Sequence, residues 1–196
     1  MEIRKFAQKS QAQVQTQRQL PVEEVVPMTG AEELVTPNPL PEASIEAINQ
    51  RIKDEYTAHF FYRNAANWCR NKNYAKAASF FDGEASSELD HAKGLQEYLV
   101  DFNIQPVIEQ TETNRMFHSL VEIIGEAYKM EYALMQAYNT NSSELFAGDL
   151  TTFDFLQDYR KKQKDAVVEY SDLLNALQLV DHNDKFQILY FEQTYF

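Results

Sequence analysis

The chain contains little glycine, proline, cysteine or positive charge. Its 196 residues include only 5 Gly and 6 Pro, which leaves room for long uninterrupted helices. The single cysteine, Cys69, cannot form an internal disulfide, and a lone thiol is typical of a reducing compartment. A net charge of −12 argues against a nucleic-acid-binding surface. No apolar run is long enough for a membrane span, and the N-terminus lacks a signal-peptide core, so we expect an acidic, helix-rich cytoplasmic protein.

The first 42 residues differ from the rest of the chain in composition. Residues 1–20 are basic and rich in glutamine, whereas residues 21–42 carry five Glu, no Lys or Arg, and five of the six prolines. Neither part has a sustained apolar face, and proline removes helical hydrogen-bond donors. We therefore predict an extended, disordered arm over 1–42, which acts either as a solvated tail or as a targeting or docking segment.

Residues 43–180 show apolar positions that recur at alternating intervals of three and four, which is typical of helices packed in a bundle. We predict an all-α four-helix bundle in which Ser44 caps the first helix and a long connection joins the second helix to the third. A short apolar segment, 181–196, follows the bundle. The four predicted helices are 43–71, 74–101, 115–140 and 150–179.

Polar side chains interrupt each of the four apolar seams near its midpoint. In chain order these residues are Glu55, Glu88 with His91, Glu131 and Gln163. Helices of similar length that pack side by side bring their midpoints to one level of the bundle. The pattern therefore predicts several carboxylates and one imidazole close together in the core.

Buried carboxylates are costly unless they are compensated. Proton sharing, pairing with a buried Lys or Arg, and a bound cation are the three available solutions. Because no Lys or Arg lies at the same level of these seams, the pattern favours a metal. Glu88 and His91 are spaced i, i+3 and point the same way from one turn. Oxygen ligands with one imidazole suit iron or manganese, and zinc accepts the same donors.

Four segments of the chain resemble the helices of non-haem ferritins over residues 43–180. They read IKDEYTAHFFY, FFDGEASSELDHAKGL, AYKMEYALMQAY and TTFDFLQDYRKKQ. The resemblance implies that Glu55, Glu88 and His91 bind a first iron. It also implies that Glu88 bridges to a second iron held by Glu131, with Gln163 alongside as a further candidate metal-binding residue.

The activity implied by this resemblance is ferroxidase chemistry, in which two Fe²⁺ are oxidised by O₂ and stored as a mineral inside a homo-oligomeric cage of 24 subunits. Tyr62 resembles the tyrosine of the family's di-iron site, which supplies an electron. The net charge of −12 suits a cage that attracts cations. Leu89 stands where haem-binding relatives have methionine, so we expect iron without haem.

Two residues depart from the family pattern and leave alternatives open. Ser87 and Lys162 stand where glutamate is common, which favours a storage subunit that oxidises iron slowly. The basic 1–20 segment leaves open a DNA-protecting mini-ferritin, although a nucleic-acid partner is not expected. A soluble di-iron oxidase acting on an organic substrate is a third alternative, and no membrane partner is expected.

The C-terminal segment 181–196 resembles the beginning of the family's short fifth helix. Seven of its last eleven residues are apolar or aromatic, and we expect a subunit interface to bury them. These residues are Phe186, Ile188, Leu189, Tyr190, Phe191, Tyr195 and Phe196.

Overall fold

The computed structural model describes residues 40–196, so the predicted arm 1–42 lies outside the described residues except for its last three. All regular secondary structure in the described part of the chain is helical, with no strand, and turns and loops join the helices. Its helices are α1 Glu42–Asn71, α2 Ala75–Asp101, α3 Leu120–Leu145, α4 Leu150–Leu177 and α5 Lys185–Tyr195. The prediction of an all-α bundle with a short fifth segment is confirmed.

The first helix begins earlier than its predicted cap. Pro41 precedes α1 with φ at −58°, which suits a helix start, and Ser44 therefore lies inside the first turn. The Ser44 hydroxyl instead donates a 2.6 Å hydrogen bond to Asp149 Oδ2, at the beginning of α4. The prediction of Ser44 as an N-cap is wrong, because the helix already begins at Glu42 and the Ser44 hydroxyl bonds to Asp149 instead of to a backbone N–H group.

The third helix is shifted by about one turn from the predicted range 115–140. Ser119 caps α3 by accepting a 3.0 Å hydrogen bond from the backbone N–H of Glu122. The Glu122 carboxylate in turn accepts from the backbone N–H of His118 at 2.7 Å. These two bonds, which resemble a capping box displaced by one residue on the Glu122 side, begin the helix at Leu120. At the other end α3 continues to Leu145, since neither Gly nor Pro occurs between the predicted end at residue 140 and Gly148.

The connection between α2 and α3 runs along the surface of α1. The backbone N–H of Val107 donates to Asn49 at 2.8 Å, and six residues later the Thr113 carbonyl accepts from Asn64 at 2.9 Å. Asn49 and Asn64 are 15 positions apart on α1, or about 22 Å along a helix axis. The segment therefore carries the chain along most of the bundle before α3 begins, which confirms the predicted long crossover.

The core consists of two apolar clusters at different levels of the bundle. On α1, for example, Ile52 belongs to one cluster and Ala58 to the other. On every bundle helix the seam residues predicted above lie between the parts that supply the two clusters. A polar layer is thus enclosed by apolar packing on both sides. Within residues 40–196, no helix is long and apolar enough to cross a membrane.

Candidate metal centre

The polar layer brings together three ionisable side chains from α1 and α2. Glu55 lies on α1, and Glu88 and His91 lie one turn apart on α2. His91 Nδ1 is 2.8 Å from Glu88 Oε2 and 3.6 Å from Glu55 Oε2. One potential ligand atom from each residue lies within 4.8 Å of those from the other two. A single cation could contact all three after small side-chain movements.

Burial dominates the electrostatics of this cluster. Glu55 is fully buried and Glu88 nearly so. Desolvation, reinforced by the charge of Glu55, raises the pKa of Glu88 well above its usual range. Desolvation acts in the same direction on Glu55, but the neighbouring His91 and Glu88 side chains and the hydrogen bond from Tyr138 outweigh it and lower the pKa of Glu55. The two carboxyl groups therefore favour a state in which they share one proton. A divalent cation would neutralise their negative charge in the same way, and with two positive charges instead of one.

Glu131, Gln163 and Tyr62 form the second part of the polar layer. The Tyr62 hydroxyl donates to Glu131 Oε1, and the Gln163 amide donates to Glu131 Oε2. All three side chains are buried. Desolvation raises the pKa of Glu131 to about 7. The charge of Glu131 also raises the pKa of Glu88, which shows that the two parts of the layer are electrostatically coupled.

An unsatisfied oxygen atom points to a cation between these groups. Glu55 Oε2 is buried and has no hydrogen-bond partner among the described residues, whereas Glu55 Oε1 accepts from Tyr138. A buried carboxylate oxygen without a donor is destabilising unless a proton or a cation compensates it. The donor set of carboxylate oxygens and one imidazole nitrogen suits Fe²⁺, Mn²⁺ or Zn²⁺. The residues present therefore fit a divalent metal.

Sequence reasoning missed two residues that border the centre. Tyr138 fits the apolar seam of the third helix in the sequence, and its hydroxyl donates a hydrogen bond to Glu55. Glu84 lies one turn before Glu88 on α2 and accepts from the Tyr170 hydroxyl at 3.4 Å. Its spacing of four from Glu88 places it on the same seam in the sequence, but that pattern assigns it no role. Desolvation and the charge of Glu169 raise the pKa of Glu84 to about 7.

The two residues that depart from the family pattern lie at the edge of the bundle. Ser87 and Lys162 are both exposed. The Lys162 ammonium group lies 5.3 Å from the centroid of the Tyr159 ring. Asp165, which could replace a missing carboxylate, is exposed and forms a 2.7 Å ion pair with Lys164. The main causes of the pKa shifts of Glu55, Glu88 and Glu131 are desolvation and the charges and hydrogen bonds of other neighbouring side chains.

The sequence is similar to a known family and to curated bacterial proteins. Residues 45–180 match the family model described as ferritin-like domain. A bacterial non-heme ferritin from Campylobacter jejuni is 28% identical over 140 residues, which cover 69% of this chain and 83% of that protein. A probable bacterial non-heme ferritin-like protein from Haemophilus influenzae is 25% identical over 148 residues, which cover 74% of this chain and 90% of that protein.

Solved structures resemble the fold. An open pore ferritin from the archaeon Archaeoglobus fulgidus superposes with a TM-score of 0.74 at 18% identity, covering 80% of this chain and 97% of that one. Chlorobium tepidum ferritin superposes with a TM-score of 0.70 at 22% identity, covering 79% of this chain and 95% of that one. Both similarities concern the bundle architecture.

Proposed function

Because the chain belongs to the ferritin family through a ferritin-like domain over residues 45–180, we propose that it oxidises Fe²⁺ with O₂ and stores the Fe³⁺ in a homo-oligomeric cage. The observation that carries this proposal is the cluster of Glu55, Glu88 and His91 in the enclosed polar layer. Iron is the substrate and cargo here. The free, buried thiol of Cys69 agrees with the cytoplasm, which we propose as the compartment.

Each residue of the layer has a proposed role toward iron. Glu55, Glu88 and His91 hold the first Fe²⁺, and Glu88 bridges to the second. Glu131 binds the second Fe²⁺, and Gln163 orients Glu131 by donating to it. Anionic carboxylates stabilise Fe³⁺ more than Fe²⁺, so the same ligands that bind the substrate favour its oxidation.

Tyr62 supplies an electron in this proposal. Its hydroxyl donates to Glu131, so the phenol is coupled to a ligand of the second iron. The proposed centre contains no haem, because Leu89 stands where haem-binding relatives have methionine.

The cage is proposed from the apolar surface of α5. Ile188 and Phe191 pack into the core, but Phe186 is 75% exposed and Tyr190 is 61% exposed. Leu189 and Tyr195 are also exposed. Neighbouring exposed aromatic side chains on one short helix favour burial in an interface between identical subunits. The number of 24 subunits rests on the family resemblance.

A storage subunit that oxidises iron slowly is the second candidate. One observation favours it: both oxygens of Glu131 already accept hydrogen bonds, from Tyr62 and from Gln163. A second iron would then compete with these donors for Glu131. Such a subunit would bind Fe²⁺ at the first position and transfer it to mineral without a fast oxidation phase.

Anaerobic calorimetric titration with Fe²⁺ tests the proposed ligands directly. We expect two Fe²⁺ per subunit in the unmodified protein, and the loss of at least one in Glu88→Gln, since an amide cannot replace a bridging carboxylate. Glu97→Gln is the matched control, because Glu97 lies on the same helix and is exposed. Equal Fe²⁺ binding by Glu88→Gln and Glu97→Gln would contradict the proposal.

A further inference from the structure

Two fully buried tyrosines stack on each other beside the polar layer. The rings of Tyr62 on α1 and Tyr170 on α4 have centroids 6.0 Å apart and planes inclined by only 10°. Phe81 stacks on Tyr62 as well, with a centroid distance of 6.1 Å. The Tyr62–Tyr170 pair thus connects Glu131, which accepts the hydrogen bond of the Tyr62 hydroxyl, to α4 through stacked aromatic rings.

Each phenol in this pair has its own carboxylate partner. The Tyr62 hydroxyl donates to Glu131, and the Tyr170 hydroxyl donates to Glu84 at 3.4 Å. The ligand set proposed above leaves both Tyr170 and Glu84 without a role. Glu84 is only partly buried, so a proton on it can exchange with solvent.

The ionisation states suit proton-coupled oxidation of Tyr170. Desolvation raises the pKa of the Tyr170 phenol well above its ordinary value, so the phenol is neutral at physiological pH. Loss of an electron from a neutral phenol requires a base to accept the proton. Desolvation raises the pKa of Glu84 to about 7, which makes it a stronger base than an ordinary glutamate.

We propose that Tyr170 is a second electron-donating tyrosine, which reduces oxidised Tyr62. In this step Glu84 accepts the phenolic proton of Tyr170 and Glu131 returns the phenolic proton of Tyr62, so that Tyr62 can donate an electron again. This inference rests on the proposed oxidation of Fe²⁺ by O₂. Tyr170 touches neither iron nor O₂ and acts through Tyr62.

The electrons and protons balance for complete reduction of O₂. Formation of two H₂O from one O₂ requires four electrons and four protons. Two Fe²⁺ supply two electrons, and the two phenols supply two electrons and two protons, first to Glu131 and Glu84. Solvent supplies the other two protons. Two further Fe²⁺ then reduce the two tyrosyl radicals, with uptake of two protons, so that four Fe²⁺ are oxidised per O₂.

The consequence for the reaction product separates Tyr170 from a simple packing residue. Without Tyr170 only three electrons are available in one turnover, so part of the O₂ leaves as H₂O₂, its two-electron product. With Tyr170 present, water is the product and H₂O₂ is low.

The test combines single-turnover mixing with electron paramagnetic resonance. Protein loaded anaerobically with two Fe²⁺ per subunit is mixed with O₂ and frozen, and radical yield and H₂O₂ are measured. We expect Tyr170→Phe to give about half the radical yield and several-fold more H₂O₂. Tyr98→Phe is the matched control. Tyr98 is also buried and its hydroxyl bonds to Thr152, but it belongs to the apolar cluster that does not contain Tyr170. It should behave as the unmodified protein does.

A second measurement avoids iron altogether. In the iron-free protein, photosensitised one-electron oxidation should still produce a radical on Tyr170 in the Tyr62→Phe variant, and Glu84→Gln should slow its formation. In the iron reaction the same Tyr62→Phe variant should give no radical on Tyr170, because the electron path from the centre is broken.

The outcomes separate this inference from the proposed function. If the unmodified protein and Tyr170→Phe oxidise Fe²⁺ equally fast and give equal radical and H₂O₂ yields, the role of Tyr170 is overturned and the function stands. If the unmodified protein oxidises no Fe²⁺ rapidly, the proposed function fails, and this inference fails with it.

Discussion

The hydroxyl group of Tyr138 on α3 donates a hydrogen bond to Glu55 Oε1 on α1. This bond leaves the other oxygen, Oε2, free of donors and 3.6 Å from His91 Nδ1. The Tyr138 ring is fully buried, and the Arg51 guanidinium carbon lies 5.6 Å from its centroid. Tyr138 therefore fixes the orientation of a proposed iron ligand without being a ligand itself.

Removal of this hydroxyl should weaken iron binding. We expect Tyr138→Phe to reduce the affinity of the first Fe²⁺ by about 10-fold, since outer hydrogen bonds orient metal ligands. Anaerobic calorimetric titration measures the affinity, and Tyr98→Phe controls for the loss of a buried phenol elsewhere. Unchanged affinity in Tyr138→Phe would show that Glu55 is held by packing alone.

One buried carboxylate links α5 to the beginning of α2. Glu192 is fully buried, and its Oε1 accepts from the backbone N–H groups of Lys76 at 2.7 Å and Ala77 at 3.1 Å. It therefore caps the N-terminus of α2, although the two elements are far apart in sequence. We expect Glu192→Ala to lower the free energy of unfolding by about 1–3 kcal/mol.

Urea denaturation at fixed protein concentration measures this effect. Glu192→Gln keeps an oxygen acceptor at the same place and should retain most of the stability. Equal stability of Glu192→Ala and the unmodified protein would mean that water satisfies the α2 N–H groups equally well.

The stability of the iron-free protein should depend on pH. The pKa values of Glu84 and Glu131 are raised from 4.5 to about 7, mainly by desolvation. Between these limits both groups bind more protons in the folded state than in the unfolded state, so their contribution to stability falls as pH rises from about 4.5 to 7 and then levels off. The raised pKa of Glu88 acts in the same direction. For Glu84 alone the contribution is at most about 3 kcal/mol.

Thermal unfolding between pH 5 and 8 measures this dependence. Glu84→Gln should flatten the decrease, because an amide cannot ionise, whereas Glu97→Gln should leave it unchanged. A stability that rises over this range would contradict the assignment of raised pKa values.

Assembly should depend on the exposed aromatic surface of α5. Tyr190→Glu places a charge on this surface, and we expect it to dissociate the proposed cage into smaller species. Tyr190→Phe keeps the apolar surface and should assemble normally. Sedimentation velocity distinguishes the two, and a Tyr190→Glu protein that sediments as the unmodified one does would exclude this surface from the interface.

Periodicity was sufficient to predict the bundle because each helix buries a continuous apolar stripe. It also identified Glu55, Glu88 and Glu131, since a charged residue in such a stripe stands out. Helix ends were less accurate. The α3 boundary depends on the hydrogen bonds that join Glu122 to His118 and Ser119, a local signal that the periodicity of apolar residues does not contain.

Contacts between helices could not be predicted in the same way. Tyr138 and Tyr170 fit an apolar stripe equally well with or without a partner for their hydroxyl groups, and only the packed structure shows those partners. Glu192 caps α2 from 115 to 116 positions away, a distance over which sequence spacing carries no information. The prediction for the arm 1–42 concerns residues that lie largely outside the described range.

Stopped-flow mixing of anaerobic, Fe²⁺-loaded protein with O₂ tests the central claim most directly. We predict a fast absorbance phase that saturates near two Fe²⁺ per subunit and is abolished by His91→Ala, whereas Glu97→Gln retains it. Slow oxidation without a saturating fast phase, or a fast phase that persists in His91→Ala, would contradict a ferroxidase centre built on Glu55, Glu88 and His91.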